Sequence, residues 1–300
     1  MEASLAIKQE IGGDDRGEAT VNLQLGTLEM LEGNLKEATQ RYQATLAIFQ
    51  NLGEPASEAA AWHQLGMVYE EGRSWEQAEE AYRRSADLKE QQGDLARAAR
   101  TWNQLAMVAK GAGKPKEAEA WYRKAIGASK QMGDRSNAAT MLSNLADLLQ
   151  TQGSDQLPEA RRIAEEALTI KQTLDPDSTA IWLTYNILAN IAQQSGDSAT
   201  SRAYRKSARQ SYAAYAGAQH ELQKYLELVQ AVVAAVQSAQ ISPELENRLQ
   251  SRRDSGWGDL VGAIRMVLAG VRDEDDLYVD LDEIDSLIVG EILRRISAEG

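Results

Sequence analysis

The chain has 300 residues, 43% of them hydrophobic, and 45 acidic against 32 basic side chains give it a formal net charge of −13. That average field disfavours a phosphate backbone, so nucleic acid is not an expected partner, and with no cysteine there are no disulfides, no thiol chemistry and no thiolate-built zinc site. No apolar run reaches membrane-spanning length, and Met1 to Ile11 lack the basic start and apolar core of a secretory signal, so a cytoplasmic protein with no membrane partner is expected. Five prolines, one phenylalanine and an abundance of Ala, Leu, Gln and Glu favour helix throughout. The acid is uneven: residues 241–300 hold 14 Asp or Glu and 7 Lys or Arg, a net −7. A basic or mixed-charge protein partner fits that balance.

In chain order, the first signal is Leu5-x-Ile7-x-Gln9-x-Ile11-Gly12, which matches Leu46-x-Ile48-x-Gln50-x-Leu52-Gly53. The chain is therefore expected to begin near the end of a helix whose partner precedes it, as a piece of a longer protein would. Leu25-Gly26 with Ala38 and Tyr42 opens a series. Trp62, Leu65, Gly66 and Tyr69 continue it, followed by Ala78 and Tyr82. Trp102, Leu105 and Ala106, then Ala118 and Tyr122, repeat that frame 40 residues on. Leu145-Ala146 with Ala160 and Ala164 follows after a two-residue slip. A fixed period of this size signals stacked repeats, each burying its apolar face on its neighbours.

Each unit reads as two antiparallel helices, typified by helix A over 56–71 and helix B over 75–91, with Gly72 and Gly93 as punctuation. Gly53, Gly93 and Gly133 mark the inter-repeat turn, and Asp94 and Asp134 are candidate N-caps. Trp62, Leu65 and Tyr69 form one stripe of helix A. Gly66 beside it is small so that helix B can approach, and Ala78 is its small counterpart on helix B.

Leu188-Ala189 and Ala203-Tyr204-Arg205-Lys206-Ser207 predict a further repeat, reached through an Asp175-Pro176-Asp177 turn. A long helix over 218–239 is expected to lay Leu222, Leu226, Val229, Val233 and Val236 over the end of the stack. Ser242-Pro243 restarts the chain as an N-cap with proline at the first helical position. Trp257 to Leu268 and Ile284 to Ile296 then give two amphipathic helices around the acidic run Asp273-Glu274-Asp275-Asp276. The division expected is a repeat array with its capping helix over 1–239 and an acidic helical appendix over 240–300.

These residues resemble the tetratricopeptide repeat (TPR), whose pattern is Trp, Leu-Gly and Tyr on helix A, then Ala and an aromatic on helix B. The resemblance covers about residues 1–215. It implies an all-α, right-handed α-solenoid of antiparallel helix pairs, followed here by a small helical C-terminal appendix. The unit departs from the family's length of about 34 residues and lacks the usual proline after helix B. Longer units are similar to those of kinesin light chains and bacterial regulatory proteins. In the family, bound peptides contact helix A at fixed offsets. Carried onto this chain, those positions are Ala60, His63, Gln64, Met67, Glu70 and Glu71, then Arg100, Asn103, Gln104, Met107 and Lys110. Ser143, Asn144 and Asp147 continue the row, and Asn186, Asn190 and Gln194 end it. Amide side chains both donate and accept, so they suit an extended backbone of any sequence, and methionine supplies adaptable apolar contact. His63 and Met67 stand where chaperone-binding members place Lys and Asn, so no carboxylate clamp is expected.

Catalytic and metal motifs are incomplete. His220-Glu221 lacks a second ligand because position 224 is Lys. Gly111-Ala112-Gly113-Lys114 lacks phosphate-loop spacing and falls on a helix-to-helix turn. Counted from Asp273, a calcium loop would need Gly where Tyr278 stands and Glu where Ile284 stands. That acidic run reads as a solvated loop, or as a dock for a basic partner. The chain is expected to use no cofactor or metal and to be a non-enzymatic module that binds a protein or peptide on its helix-A face. The alternatives are a sensor or scaffold segment of a larger bacterial signalling or defence protein, and a self-associating scaffold.

Overall fold

A computed structural model describes residues 15–175, 179–279 and 281–299. The expected helix ending at Leu5–Gly12 lies outside them, as do Pro176 and Asp177 of the expected turn. The described residues fall into two compact units that divide between Ile170 and Lys171.

The first unit runs α1 (Asp15–Leu31), α2 (Leu35–Leu52), α3 (Pro55–Glu71), α4 (Trp75–Gln91), α5 (Leu95–Gly111), α6 (Pro115–Gln131) and α7 (Arg135–Gln150). A short turn of 3₁₀ helix at Ser154–Gln156 leads to α8 (Leu157–Lys171). Helices α1 and α2, α3 and α4, and α5 and α6 pack as pairs, and each pair packs on the next through α2 with α3, α4 with α5, and α6 with α7. This is an α-solenoid of helix pairs, with no strand among the described residues.

One contact sets the distance within a pair. Tyr42, Tyr82 and Tyr122 are fully buried on the B helices. The first two rings lie against the glycine of their A helix: a Cβ added at Gly66 would sit 2.6 Å from the Tyr82 ring, and one at Gly26 would sit 2.8 Å from Tyr42. Ala38, Ala78 and Ala118, one turn earlier on the B helices, have no exposed surface. Buried hydroxyls tie the pairs further: Ser85 donates to the Ala59 carbonyl at 2.7 Å and Thr45 to that of Ala19 at 3.4 Å. Between B helices, Lys114 reaches Glu79 and Lys124 reaches Glu90, both at 2.9 Å. These pairs are solvated, so they align the helices more than they stabilise them.

Trp62 and Trp102 hold equivalent places with different cover. Trp102 is 2% exposed beneath Lys124, whose ammonium lies 3.9 Å from the ring centroid. At the equivalent of Lys124 in the preceding repeat stands Arg84, which pairs with Glu80 instead. Trp62 stays half-buried and donates to Glu58 at 3.2 Å.

The turns follow the expected chemistry with one exception. Asp94 and Asp134 cap α5 and α7, accepting from the Arg97 and Asn137 amides. Gly53, Gly93 and Gly133 adopt left-handed backbone. In the A-to-B turn of the second pair, Gly72 keeps an ordinary φ of −74°, and Arg73 takes the left-handed φ of 53°. Gly33 and Gly113 hold that place in the neighbouring pairs, at φ 81° and 71°.

The second unit opens with the pair α9 (Ile181–Gln194) and α10 (Ser198–Ala214), where Asp197 caps α10 through the Thr200 amide. Then come α11 (Ala216–Leu222), α12 (Leu226–Ser238), α13 (Pro243–Asp254), α14 (Gly258–Leu268), the short α15 (Glu274–Leu277) and α16 (Glu283–Glu299). Ser242 caps α13 as expected, accepting from the Leu245 amide at 3.1 Å. The single helix expected over 218–239 is interrupted by a 3₁₀ turn at Gln223–Tyr225. That turn lets the Tyr225 ring meet Trp257 at 5.5 Å, with the Arg252 guanidinium 5.5 Å from the Tyr225 ring and 5.3 Å from Trp257. The apolar stripe of this region, Leu222, Val229 and Val233, is buried in one core with Leu249, Ile264, Ile288 and Ile292. The expected partition at 239/240 runs through that core.

Two substitutions test the packing. Ala78→Leu is expected to overpack α3 against α4 and cost about 1–3 kcal/mol. Arg73→Gly is expected to add about 0.5–1 kcal/mol, since relief of the left-handed strain exceeds the entropy glycine restores to the unfolded chain. Denaturant midpoints of the two variants, read against the parent, check both signs.

Candidate functional site

Helices α3, α5 and α7 carry the predicted row in the first unit. On α3, His63, Gln64 and Met67 are half-buried and Glu71 is exposed. On α5, Arg100 and Met107 are exposed, and Asn103 and Gln104 are half-buried. On α7, Asn144 and Asp147 are half-buried, whereas Ser143 is only 4% exposed and donates to the Ala139 carbonyl at 3.0 Å.

Side-chain bonds join these helices. Asn144 Nδ2 donates to Asn103 Oδ1 at 3.2 Å, and Lys110 Nζ donates to Asp147 Oδ2 at 2.5 Å. Asp147 also accepts from Gln150 at 2.7 Å. Asn103 donates in turn to Gln104 Oε1 at 3.3 Å and approaches the Met107 sulfur at 3.7 Å. Between α3 and α5, the Thr101 hydroxyl lies 3.5 Å from His63 Nδ1.

Beneath the row runs a buried polar network. Lys89 Nζ donates to Thr101 Oγ1 at 2.8 Å, and the His63 ring sits 5.2 Å from that of Tyr82. Tyr82 donates to Glu70 at 2.8 Å. Burial dominates the ionisation of all four titratable groups. It lowers His63 to about 4, with the Lys89 charge adding to the effect. Lys89 is pushed down to about 8 by burial, against the pull of Asp94. The Tyr82 hydroxyl is raised by burial and then by Glu70. Glu70 is raised by burial, with repulsion from Glu71, against its Tyr82 hydrogen bond.

Sequence reading placed Glu70 and His63 in the row but missed Lys89, Thr101 and Tyr82 as polar partners beneath it. The available signal was positional. Lys89 stands where Phe49 and Ser129 stand in the neighbouring repeats, so a long cation enters a buried register there. Asn186 and Asn190 belong to α9 of the second unit. Asn186 donates to Glu283, and Asn190 accepts from Arg205 at 3.5 Å. Among the described residues no cluster of three His, Asp or Glu converges to hold a metal ion, and no helix is long and apolar enough to cross a membrane.

Comparison with known proteins agrees with this geometry. A family model described as tetratricopeptide repeat matches residues 17–91, 57–131 and 97–173, together more than half of the chain. The chain belongs to the tetratricopeptide repeat family, whose repeats mediate protein–protein interaction. No curated protein matches the sequence. Among solved structures, BtubC (BKLC) from P. vanneervenii is 23% identical with a TM-score of 0.58, over 66% of this chain and 81% of that one. A kinesin light chain-like protein of Podosopora anserina with nearly identical TPR-like repeats is 16% identical with a TM-score of 0.56, over 67% of this chain and 96% of that one. The apo form of RapI is 12% identical with a TM-score of 0.59, over 94% of this chain and 100% of that one. At these identities the likeness is one of fold.

The His63 environment gives a pH dependence. Its folded value of about 4 lies below the ordinary 6.5, so on acidification the unfolded chain takes up the proton first. The associated stability is fully present above about pH 6.5 and is lost as the pH falls towards 4. His63→Gln is expected to shrink the drop in thermal midpoint between pH 7 and pH 4.5. An equal drop in variant and parent overturns the assignment.

Proposed function

We propose that the first unit is a non-enzymatic binding module that captures a segment of another protein along α3, α5 and α7. The observation that carries this reading is the Asn103–Asn144 bond between successive A helices, beside half-buried Gln104 and exposed Met107. Amides that already join neighbouring helices present their remaining donors and acceptors at a fixed spacing. A peptide backbone laid across them meets pre-positioned partners, which lowers the ordering cost of binding. Met107, 41% exposed, supplies apolar contact without demanding one shape. Gln64, Met67 and Glu71 extend the row over α3, Arg100 widens it on α5, and the pair of Lys110 on α5 with Asp147 on α7 closes it. Ser143 is buried and bonds within α7 to the Ala139 carbonyl, so it is not offered to a partner. The overall charge of −13 favours a basic or mixed-charge partner, and its proposed location is the cytoplasm.

The test is capture of partners from an extract of the source cell, with the parent chain and the triple variant Asn103→Ala, Gln104→Ala and Asn144→Ala. The variant is expected to keep its helical signal and lose about tenfold or more of the captured protein, equivalent to about 1.4 kcal/mol or more. Unchanged capture by a folded variant removes the proposal.

A further inference from the structure

Glu274 and Asp276 of the acidic run face a basic helix of their own unit across a cavity. Helix α10 carries Arg202, Arg205, Lys206 and Arg209 and no carboxylate. Arg202, Arg205 and Arg209, spaced i, i+3 and i+7, share one face. Glu274, Asp276 and Tyr278 line one cavity with all three arginines, and Asp282 and Glu283 line a second with Arg205 and Arg209. The Arg209 guanidinium lies 4.4 Å from the centre of the Tyr278 ring, which is 8% exposed. Asn186 of α9 donates to Glu283. An aromatic ring against an arginine, with carboxylates facing a cationic helix across open cavities and one of them held by an amide, resembles the contact set of a bound peptide, here one whose Leu277 and Tyr278 also pack into the apolar core of the unit. Here the peptide is the chain's own.

That occupant fills the face incompletely. The two cavities between it and α10 measure 720 and 230 Å³, and Val279 beside the anchor is 66% exposed. We propose that the α9–α10 face is a binding site for an acidic, tyrosine-bearing segment of another protein, and that residues 274–279 and 281–283 hold the site until such a segment displaces them. Tethering gives the internal segment an effective concentration on the order of millimolar, so only a ligand with the same charge pattern and a better fit competes. The α3–α5–α7 row plays no part in this assignment, and either can fail without the other.

The probe is a fluorescent peptide with the sequence of residues 272–285, titrated into the full chain and followed by anisotropy. A release variant, Glu274→Gln, Asp276→Asn and Glu283→Gln, changes exposed or half-buried carboxylates and leaves Tyr278 and the apolar core in place. It is expected to bind the peptide about tenfold tighter than the parent. Adding Arg205→Glu and Arg209→Glu to it is expected to abolish binding. A second measurement uses the unaltered chain: saturating peptide is expected to speed amide exchange over 274–279 while α12 keeps its protection. The proposal is overturned if the folded release variant binds no tighter than the parent, if charge reversal leaves binding unchanged, or if bound peptide leaves exchange over 274–279 unaltered. Dimerisation of the release variant by mutual exchange of the segment would also overturn it, because the occupant would then be a second copy.

Discussion

The contact on which the first unit depends is a tyrosine ring laid on a residue with little or no side chain. Tyr82 on Gly66 and Tyr42 on Gly26 leave no room for a Cβ without movement, and Ala106 holds the corresponding place in the third pair. A buried aromatic supplies a large apolar area, and the missing side chain opposite lets the backbone of helix A come to it. Ala38, Ala78 and Ala118 keep the approach close one turn away. Because this spacing recurs, Asn103 and Asn144 meet across α5 and α7. The polar row is thus a consequence of apolar packing beneath it.

Polarity under the row is rigid. Burying Lys89 and His63 is costly unless both are hydrogen-bonded or neutral. Thr101 stands between them, 2.8 Å from the ammonium and 3.5 Å from the imidazole. The low value at His63 keeps that ring neutral, so only the Lys89 charge needs support there. A network with all its members engaged fixes side-chain positions. The second unit uses charge in another way, setting a cationic helix against an acidic, tyrosine-anchored segment of the same chain.

The helices and caps of the repeats were legible because they depend on neighbours in sequence. Asp94, Asp134 and Ser242 cap where they were expected to, since capping links a side chain to an amide three residues on. Arg73 was not legible: glycine at 72 advertised the turn, but the left-handed residue is the next one. The break at Gln223–Tyr225 was also hidden, because it answers to Trp257, more than thirty residues later. Of the candidate row, Asn103 bonds to Gln104 and Asn144, and Asp147 bonds to Lys110 and Gln150. Asn186 and Asn190, equivalent by pattern, are engaged by Glu283 and Arg205 of their own unit.

The sequence by itself determined the period, the helix pairs and which face of each helix is apolar, because helical periodicity and turn chemistry act over a few residues. It also determined the charge imbalance of the last sixty residues. Tertiary structure alone decided that Lys89 enters the interior beside Thr101, that Val229 and Ile288 share a core, and that Glu274 and Asp276 face α10 across a cavity. These pairings join residues up to dozens of positions apart. Their energies depend on burial and distance, which no local pattern encodes.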